Sequence, residues 1–434
     1  MGSGAGQTGS EVAGAGRPPQ LGARFAKLWA ANTASALGSG LTIIAAPLFV
    51  ASRTSDPLIV SATSAVAWLP WLLFALPGGV VVDRVDRRRL MLLIDWVRVA
   101  TLALLTVAMM AGRAGIGLLL AVLFVVNTGE IVFRAAAQAL LPSVVPRALL
   151  ERANGWLGGG ATLTQGMIAG PLGGLLFLVA TTLPFAVNGL TYAVSALLIG
   201  AVGGTYRASA DRGDAGDGGD GRATGSPGLR GIATDVVEGF RWLAGQRLLR
   251  TMAGLIGLLN ITLTAAIAVL VLLARERLHL GSVGYGLLFT CMALGGLAGS
   301  VVGDRLIVRF TATWTIRIGL LIEAATHLAL AASRSAWLIG VVLFAFGVHG
   351  ALWGIVGSSL RQRLTPPQLL GRVGSTILFV AAGGNCVGAL LGGLLAASFG
   401  LTAPYWVGFV AAVGVSLATW RVFDRETVAA AYRH

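Results

Sequence analysis

Only a few ionisable side chains stand inside the long apolar stretches of this 434-residue chain: Asp95 and Arg98, Glu130 and Arg134, Arg317, Glu323 and His327, and His349. An ionisable group at membrane depth costs about 2.5 to 3.5 kcal/mol on insertion scales, so each is a candidate for function. Glu130 and Arg134 are four residues apart, which puts them on one helix face with the acid nearer the N-terminus, the orientation in which such pairs attract best. A carboxylate so placed could exchange a proton for a cargo molecule, or it could be held in a permanent ion pair that only satisfies two charges; the sequence supports both readings. Glu323 and His327 repeat the spacing. No Walker loop, no paired Cys or His at zinc spacing and no Ser/His/Asp arrangement stands out, so an enzyme, a metal centre or a bound cofactor has no support. Cys291 and Cys386 both lie in apolar stretches, where packing is the expected role.

The elements that carry these residues must be membrane helices. With 56% hydrophobic and 12% charged residues and a mean hydropathy of +0.81, the chain has too little charge to cover an ordinary soluble surface. A run of roughly 20 apolar residues spans a bilayer core, and about twelve such runs occur: 25–50, 57–82, 90–112, 115–140, 154–180, 184–206, 249–274, 283–303, 313–333, 336–360, 373–399 and 401–420. The expected fold class is therefore an all-α polytopic membrane protein.

Two patterns recur about 220 residues apart. Pro146-x-x-Leu149-Leu150-x-Arg152 returns as Pro366-x-x-Leu369-Leu370-x-Arg372, and Gly166-x3-Gly170-x3-Gly174 returns as Gly384-x3-Gly388-x3-Gly392. The chain is a duplicated half, which predicts two parallel six-helix bundles at 25–206 and 249–420, tails at 1–24 and 421–434, and a linker at 207–248. The Gly- and Asp-rich stretch 207–228 has the composition of a solvated linker, and residues 231–250 read as an amphipathic helix lying along the membrane surface.

The net charge of +14 reports topology. Of the 32 Lys and Arg residues, Arg53, Arg113, Arg275, Arg277 and Arg334 fall in outward loops and Arg98 and Arg134 inside spans, if both termini are cytoplasmic; nearly all the rest fall in the tails and inward loops. That bias predicts a multi-pass protein of the cell membrane with both ends in the cytoplasm, and it leaves no separate basic footprint for a nucleic acid. The first twenty or so residues lack the charged start and short apolar core of a cleaved signal.

The segment after the second span, Gly79-x3-Asp83-Arg84-x-x-Arg87-Arg88-Arg89, resembles the signature loop of the major facilitator superfamily, with Asp86 where a Gly is customary. A weaker copy, Gly299-x3-Gly303-Asp304-Arg305, stands at the matching place in the second half. The fifth span carries Gly166-x3-Gly170-Pro171-x-x-Gly174, similar to the motif of the exporter branches of that superfamily, with Leu175 in place of the final Gly. Residues 133–155 and 364–375 resemble the group of facilitators that contains macrolide efflux proteins and the enterobactin exporter. An Arg early in the fourth span, customary in drug antiporters, is absent; Leu123 stands there.

The resemblance implies a twelve-span facilitator fold with alternating access. It also implies a latch in which Asp83 pairs with neighbouring Arg residues and with the start of the eleventh span near Gly374 and Ser375, Asp95 and Arg98 joining that latch from the cytoplasmic end of the third span. Pro171, which removes a backbone donor and bends its helix, makes the fifth-span motif a seal or hinge between the halves. Because spans one, four, seven and ten line the path in that architecture, Glu130, Arg134 and His349 are the proton-coupling candidates, and Asn32, Asn260 and Trp353 candidate contacts to cargo. The repeat offset carries Glu130 next to His349, so the two are expected to face each other across the pseudo-twofold axis. Glu323 and His327 lie on a span expected to be peripheral and read as structural. The implied activity is outward transport of a small amphipathic molecule by a monomer driven by protons; proton-coupled uptake and a non-transporting scaffold are the competing readings.

Overall fold

The computed structural model describes residues 21–74, 82, 84–206, 229–420 and 422–423, and no strand occurs among them. Among the described residues ten helices are long and apolar enough to cross a membrane: Ala23–Ala51, Pro57–Phe74, Arg87–Met110, Ile116–Val144, Arg147–Val179, Leu183–Gly200, Arg247–Ala268, Ser282–Ala332, Ala336–Leu364 and Pro367–Phe399. The run Ser282–Ala332 has 51 residues, which at 1.5 Å each is about two and a half times the thickness of a bilayer core. It leaves helical geometry at Thr311 (φ 65°, ψ 156°), so it holds the eighth and ninth spans end to end. The shorter apolar helix Ala403–Thr419 supplies the twelfth.

The sequence repeat is a repeat of backbone. Pro146 (φ −55°, ψ 142°) and Pro366 (φ −54°, ψ 141°) hold the same extended geometry that proline prefers, and each is followed by a single 3-10 turn, Arg147–Leu149 and Pro367–Leu369. Each turn closes with the third residue's N–H donating to the proline carbonyl at 2.9 Å, after which the fifth and eleventh spans begin at Leu150 and Leu370.

The first span packs on the fifth and sixth, and the third on the fourth and sixth; the seventh packs on the eleventh and twelfth, and the eighth-and-ninth run on the tenth and twelfth. Across the two sets, the second span meets the eleventh and the fifth meets the eighth. Buried apolar side chains gather differently at the two ends of the helices. At the end away from the termini one continuous core takes Phe49, Leu105 and Phe185 from the first six spans together with Val269, Tyr285 and Ile339 from the last six. At the end that carries the termini the cores are separate, one around Leu28, Met91 and Phe133 and another around Met252, Ile316 and Leu360.

The amphipathic helix after the linker is Leu229–Gly245. Only part of the expectation that it lies along the membrane holds: Val237 and Phe240 are exposed, but Leu243 is buried against Leu249, Ala253 and Val373, and Glu238 pairs with Arg372 at 2.7 Å. Its other face is therefore docked on the start of the eleventh span.

Candidate functional site

Five spans of the first half converge on one buried charge network. Arg98, fully buried on the third span, donates from Nη2 to Glu130 Oε2 at 2.9 Å and from Nη1 to Ser35 Oγ at 3.3 Å and Asp95 Oδ1 at 3.4 Å. Its guanidinium lies over the Tyr192 ring, 4.6 Å from the centroid, and over the Phe133 ring at 5.6 Å. Glu130 takes a second guanidinium through Oε1, where Arg134 Nε donates at 2.5 Å, and a hydroxyl, Ser39 Oγ, at 3.0 Å. Ser39 in turn meets Tyr192 Oη at 3.0 Å, Ser195 donates to Asp95 Oδ2 at 2.7 Å, and Arg134 reaches Gln165 Oε1 on the fifth span at 3.1 Å. Two carboxylates and two guanidiniums make the set neutral when all are ionised, and each charge has a partner, the condition under which buried ions are tolerated. Arg134 is the member that looks outward, its side chain 42% exposed.

Asp95 and Arg98, expected to join the latch, are completely buried in this network. Gly79 and Asp83 lie outside the described residues, as does therefore the pairing expected of Asp83. The rest of the cluster does something else. Asp86 is buried and caps the third span, accepting from Arg89 N at 2.8 Å, and ties down the end of the sixth by accepting from Tyr206 N at 2.8 Å. Arg88 donates to the carbonyls of Ile199 at 3.1 Å and Gly200 at 2.5 Å in the sixth span's last turn, and the Arg87 N–H donates to Tyr206 O at 3.2 Å. These arginines bind the third span to the sixth. Arg84, Asp304 and Arg305 are exposed.

The second half has a counterpart. His349 on the tenth span is buried with its Nε2 3.8 Å from Glu323 Oε2, and His327 Nε2 is 3.6 Å from Glu323 Oε1. The polar partners of Glu130 are Arg98, Arg134 and Ser39 of the first half, and the ionisable partner of His349 is Glu323 of the second. The ninth span buries Glu323 and His327 as deeply as the tenth buries His349, and turns Trp314, Ile318, Leu321 and Leu328 outward on its other face. Rings flank His349, with Phe346 and Trp353 each 6.1 Å away. Of the cargo-contact candidates, Asn32 donates weakly to Leu157 O at 3.5 Å, and Asn260 and Trp353 are half-buried.

The fifth-span motif meets the eighth span. A Cβ added at Gly170 would lie 2.5 Å from Gly286 O, and Ser282 Oγ donates to Gly174 O at 2.8 Å. Pro171 has no N–H for the carbonyl of Met167 one turn back, and Thr290 of the eighth span donates to that carbonyl instead, at 3.2 Å. A π-helical stretch, Thr162–Ile168, precedes it. The second copy packs elsewhere, Gly384, Gly388 and Gly392 lying against the seventh span's backbone. Sequence reasoning missed Ser35, Ser39, Gln165, Tyr192, Ser195 and Thr290; their only signal was polarity inside apolar spans.

Comparison with known proteins adds a lineage to this geometry. A family model described as transmembrane secretion effector matches residues 18–431. The multidrug efflux pump Tap of Mycobacterium tuberculosis is 26% identical over 387 residues, 86% of this chain and 87% of that protein. Macrolide efflux protein A of Streptococcus pyogenes is 26% identical over 133 residues, 31% of this chain and about a third (33%) of its own length, and enterobactin exporter EntS of Citrobacter koseri is 29% identical over 167 residues, 37% and 38% of the two. Among solved structures, a bacterial homologue of the iron transporter ferroportin in an inward-facing state superposes with a TM-score of 0.71 at 16% identity, covering 93% of this chain and 99% of the other; the nucleoside transporter NupG does so at 0.70 and 12%, covering 95% and 100%.

Proposed function

The chain belongs to the transmembrane secretion effector family of the major facilitator superfamily, and on that premise we propose that it exports a small amphipathic organic molecule by alternating access, in exchange for protons. It is a multi-pass membrane transporter of helical fold. One observation carries the access reading: the two halves share a single apolar core at the end away from the termini and have separate cores at the other end. Such an arrangement exposes a central path to one side only. With both termini in the cytoplasm of a cell-membrane protein, that side is the inside, and cargo is collected there by a monomer that has no nucleic-acid partner. The seam to be broken for release outward is the backbone-to-backbone contact of the fifth and eighth spans, where small residues and the hydrogen bonds from Thr290 to Met167 O and from Ser282 to Gly174 O hold the helices without bulky interdigitation.

The efflux relatives favour export over uptake. The drive is inward proton flow, each charge gaining about 2.3 kcal/mol per 100 mV of membrane potential. The expected result is lower accumulation of a fluorescent dye or macrolide in cells making the protein than in cells without it, with the difference abolished by a protonophore. Higher accumulation would mean uptake, and no difference across a broad panel would leave a scaffold.

A further inference from the structure

The first-half network is electrically complete, with two guanidiniums for two carboxylates; the second-half cluster is not. Glu323, His327 and His349 are each 5% exposed or less, and Glu323 lies between the two imidazoles at 3.6 and 3.8 Å, within reach of ionic attraction and beyond a hydrogen bond. Glu323 Oε1 and His327 Nδ1 are buried without a hydrogen-bond partner. The nearest other ionisable groups on the elements packed around them are engaged elsewhere. Arg317, further along the ninth span, donates to Trp420 O at 2.7 Å and lies over the Trp420 ring, and Tyr405 of the twelfth span donates to Ala266 O at 3.1 Å. Tyr285 of the eighth span stacks edge-on with Phe289.

The backbone is shaped around the two imidazoles. A Cβ at Gly319 would overlap the His349 ring, and one at Gly408 the His327 ring. Beside His327 opens a small chamber walled by Leu263, Ile267, Phe289, Met292 and Phe346, all apolar. A lone carboxylate in such surroundings, with neutral imidazoles on either side, carries an uncompensated charge; one proton removes it, either as a carboxylic acid or as an imidazolium paired with the carboxylate. Both forms lie within a small side-chain rotation of each other, and two imidazoles flank the acid so that the proton can pass to either.

We propose that Glu323, His327 and His349 together bind the proton that drives transport. The inference rests on the proton-exchange reading above. The proton arrives from the outer aqueous phase, resides on the cluster while the path changes sides, and leaves to the cytoplasm as cargo is taken up there. His349, on the tenth span against Trp353, is the member through which occupancy is felt along the path. Glu130, held by two guanidiniums and a hydroxyl, anchors the opposite half.

Two measurements on purified protein in lipid test this. In pH-difference infrared spectra, wild type is expected to show carboxyl and imidazole bands that are lost in Glu323→Gln and displaced along the pH axis in His327→Gln and His349→Gln, each variant checked for folding by size-exclusion elution. A spectrum unaltered in Glu323→Gln overturns the proposal. In proteoliposomes with ethidium as probe, Glu323→Gln is expected to lose accumulation driven by a pH gradient, while Glu323→Asp retains it with a shifted pH profile; gradient-driven accumulation that survives in Glu323→Gln also overturns it. Should wild type move no ethidium, or move it indifferently to the gradient, the export-and-exchange reading fails, and the infrared bands still decide the proton site.

Discussion

Arg98 is bound so tightly into its surroundings that its loss should be felt before any function is assayed. Arg98→Ala would leave Asp95 and Glu130 buried beside each other with one guanidinium remaining for the pair, and breaking a buried ion pair in this way costs about 3 to 5 kcal/mol. The expected outcome is a marked fall in thermal unfolding temperature in detergent. Lysine should not rescue it, because a compact ammonium cannot serve two carboxylates and Ser35 at once or lie flat over Tyr192. By the same reasoning Glu130→Gln is expected to destabilise the protein, since two guanidiniums lose their shared acceptor. The ionisable members of both clusters were legible in the sequence, because charge inside an apolar run is conspicuous. Their partners were not. Spacing along one helix reveals Glu130 with Arg134 and Glu323 with His327; it says nothing of Arg98 reaching Glu130 across two helices, or of His349 reaching Glu323. The Arg cluster after the second span was legible as a charged surface feature, yet Asp86 and Arg88 act as helix caps, which only the position of the sixth span's end reveals.

At the scale of elements, the fifth and eighth spans form the joint on which the proposed alternation would turn. Thr290→Val removes the hydroxyl that donates to the Met167 carbonyl across that joint, a hydrogen bond that contributes about 0.5 to 1.5 kcal/mol. The joint should therefore open more readily. A cysteine pair placed at positions 166 and 293, where an added Cβ at Gly166 would stand 3.1 Å from the Ala293 Cβ, in a background lacking Cys291 and Cys386, should cross-link less completely in the Thr290→Val protein than in its parent. Gly286→Val should act more strongly in the same direction, since its side chain would meet the backbone of Gly170. The sequence repeat foresaw the twin turns before the fifth and eleventh spans because a Pro-led turn is a local structure. It did not foresee that the two glycine triplets have different partners, which depends on how the halves meet. Nor did it foresee that helix continues from the eighth span to the ninth with only Thr311 out of line: residues 304–310 are polar enough to read as a loop but contain neither Gly nor Pro to stop a helix. A β-branched side chain at φ 65° is strained, so Thr311→Gly is expected to raise thermal stability by about 1 kcal/mol.

For the molecule as a whole, the division of the apolar core is the telling feature. Cysteines introduced at Asn260 or Trp353 should react with a membrane-impermeant thiol reagent supplied from the side that bears the termini, and be protected from the other; equal reaction from both faces would contradict a path closed at one end. Composition and the positive-inside bias made the membrane class and the number of spans readable, but which ends touch is a property of the assembled halves and leaves no trace in hydropathy. The shared core at one end, which the proposed orientation turns outward, has a practical corollary. On that reading a blocker designed to plug the central path would find no mouth on the cell's exterior, so it would first have to permeate the bilayer on its own and then compete with the natural traffic from within, whereas a large hydrophilic antagonist added to the medium would be confined to the short external loops.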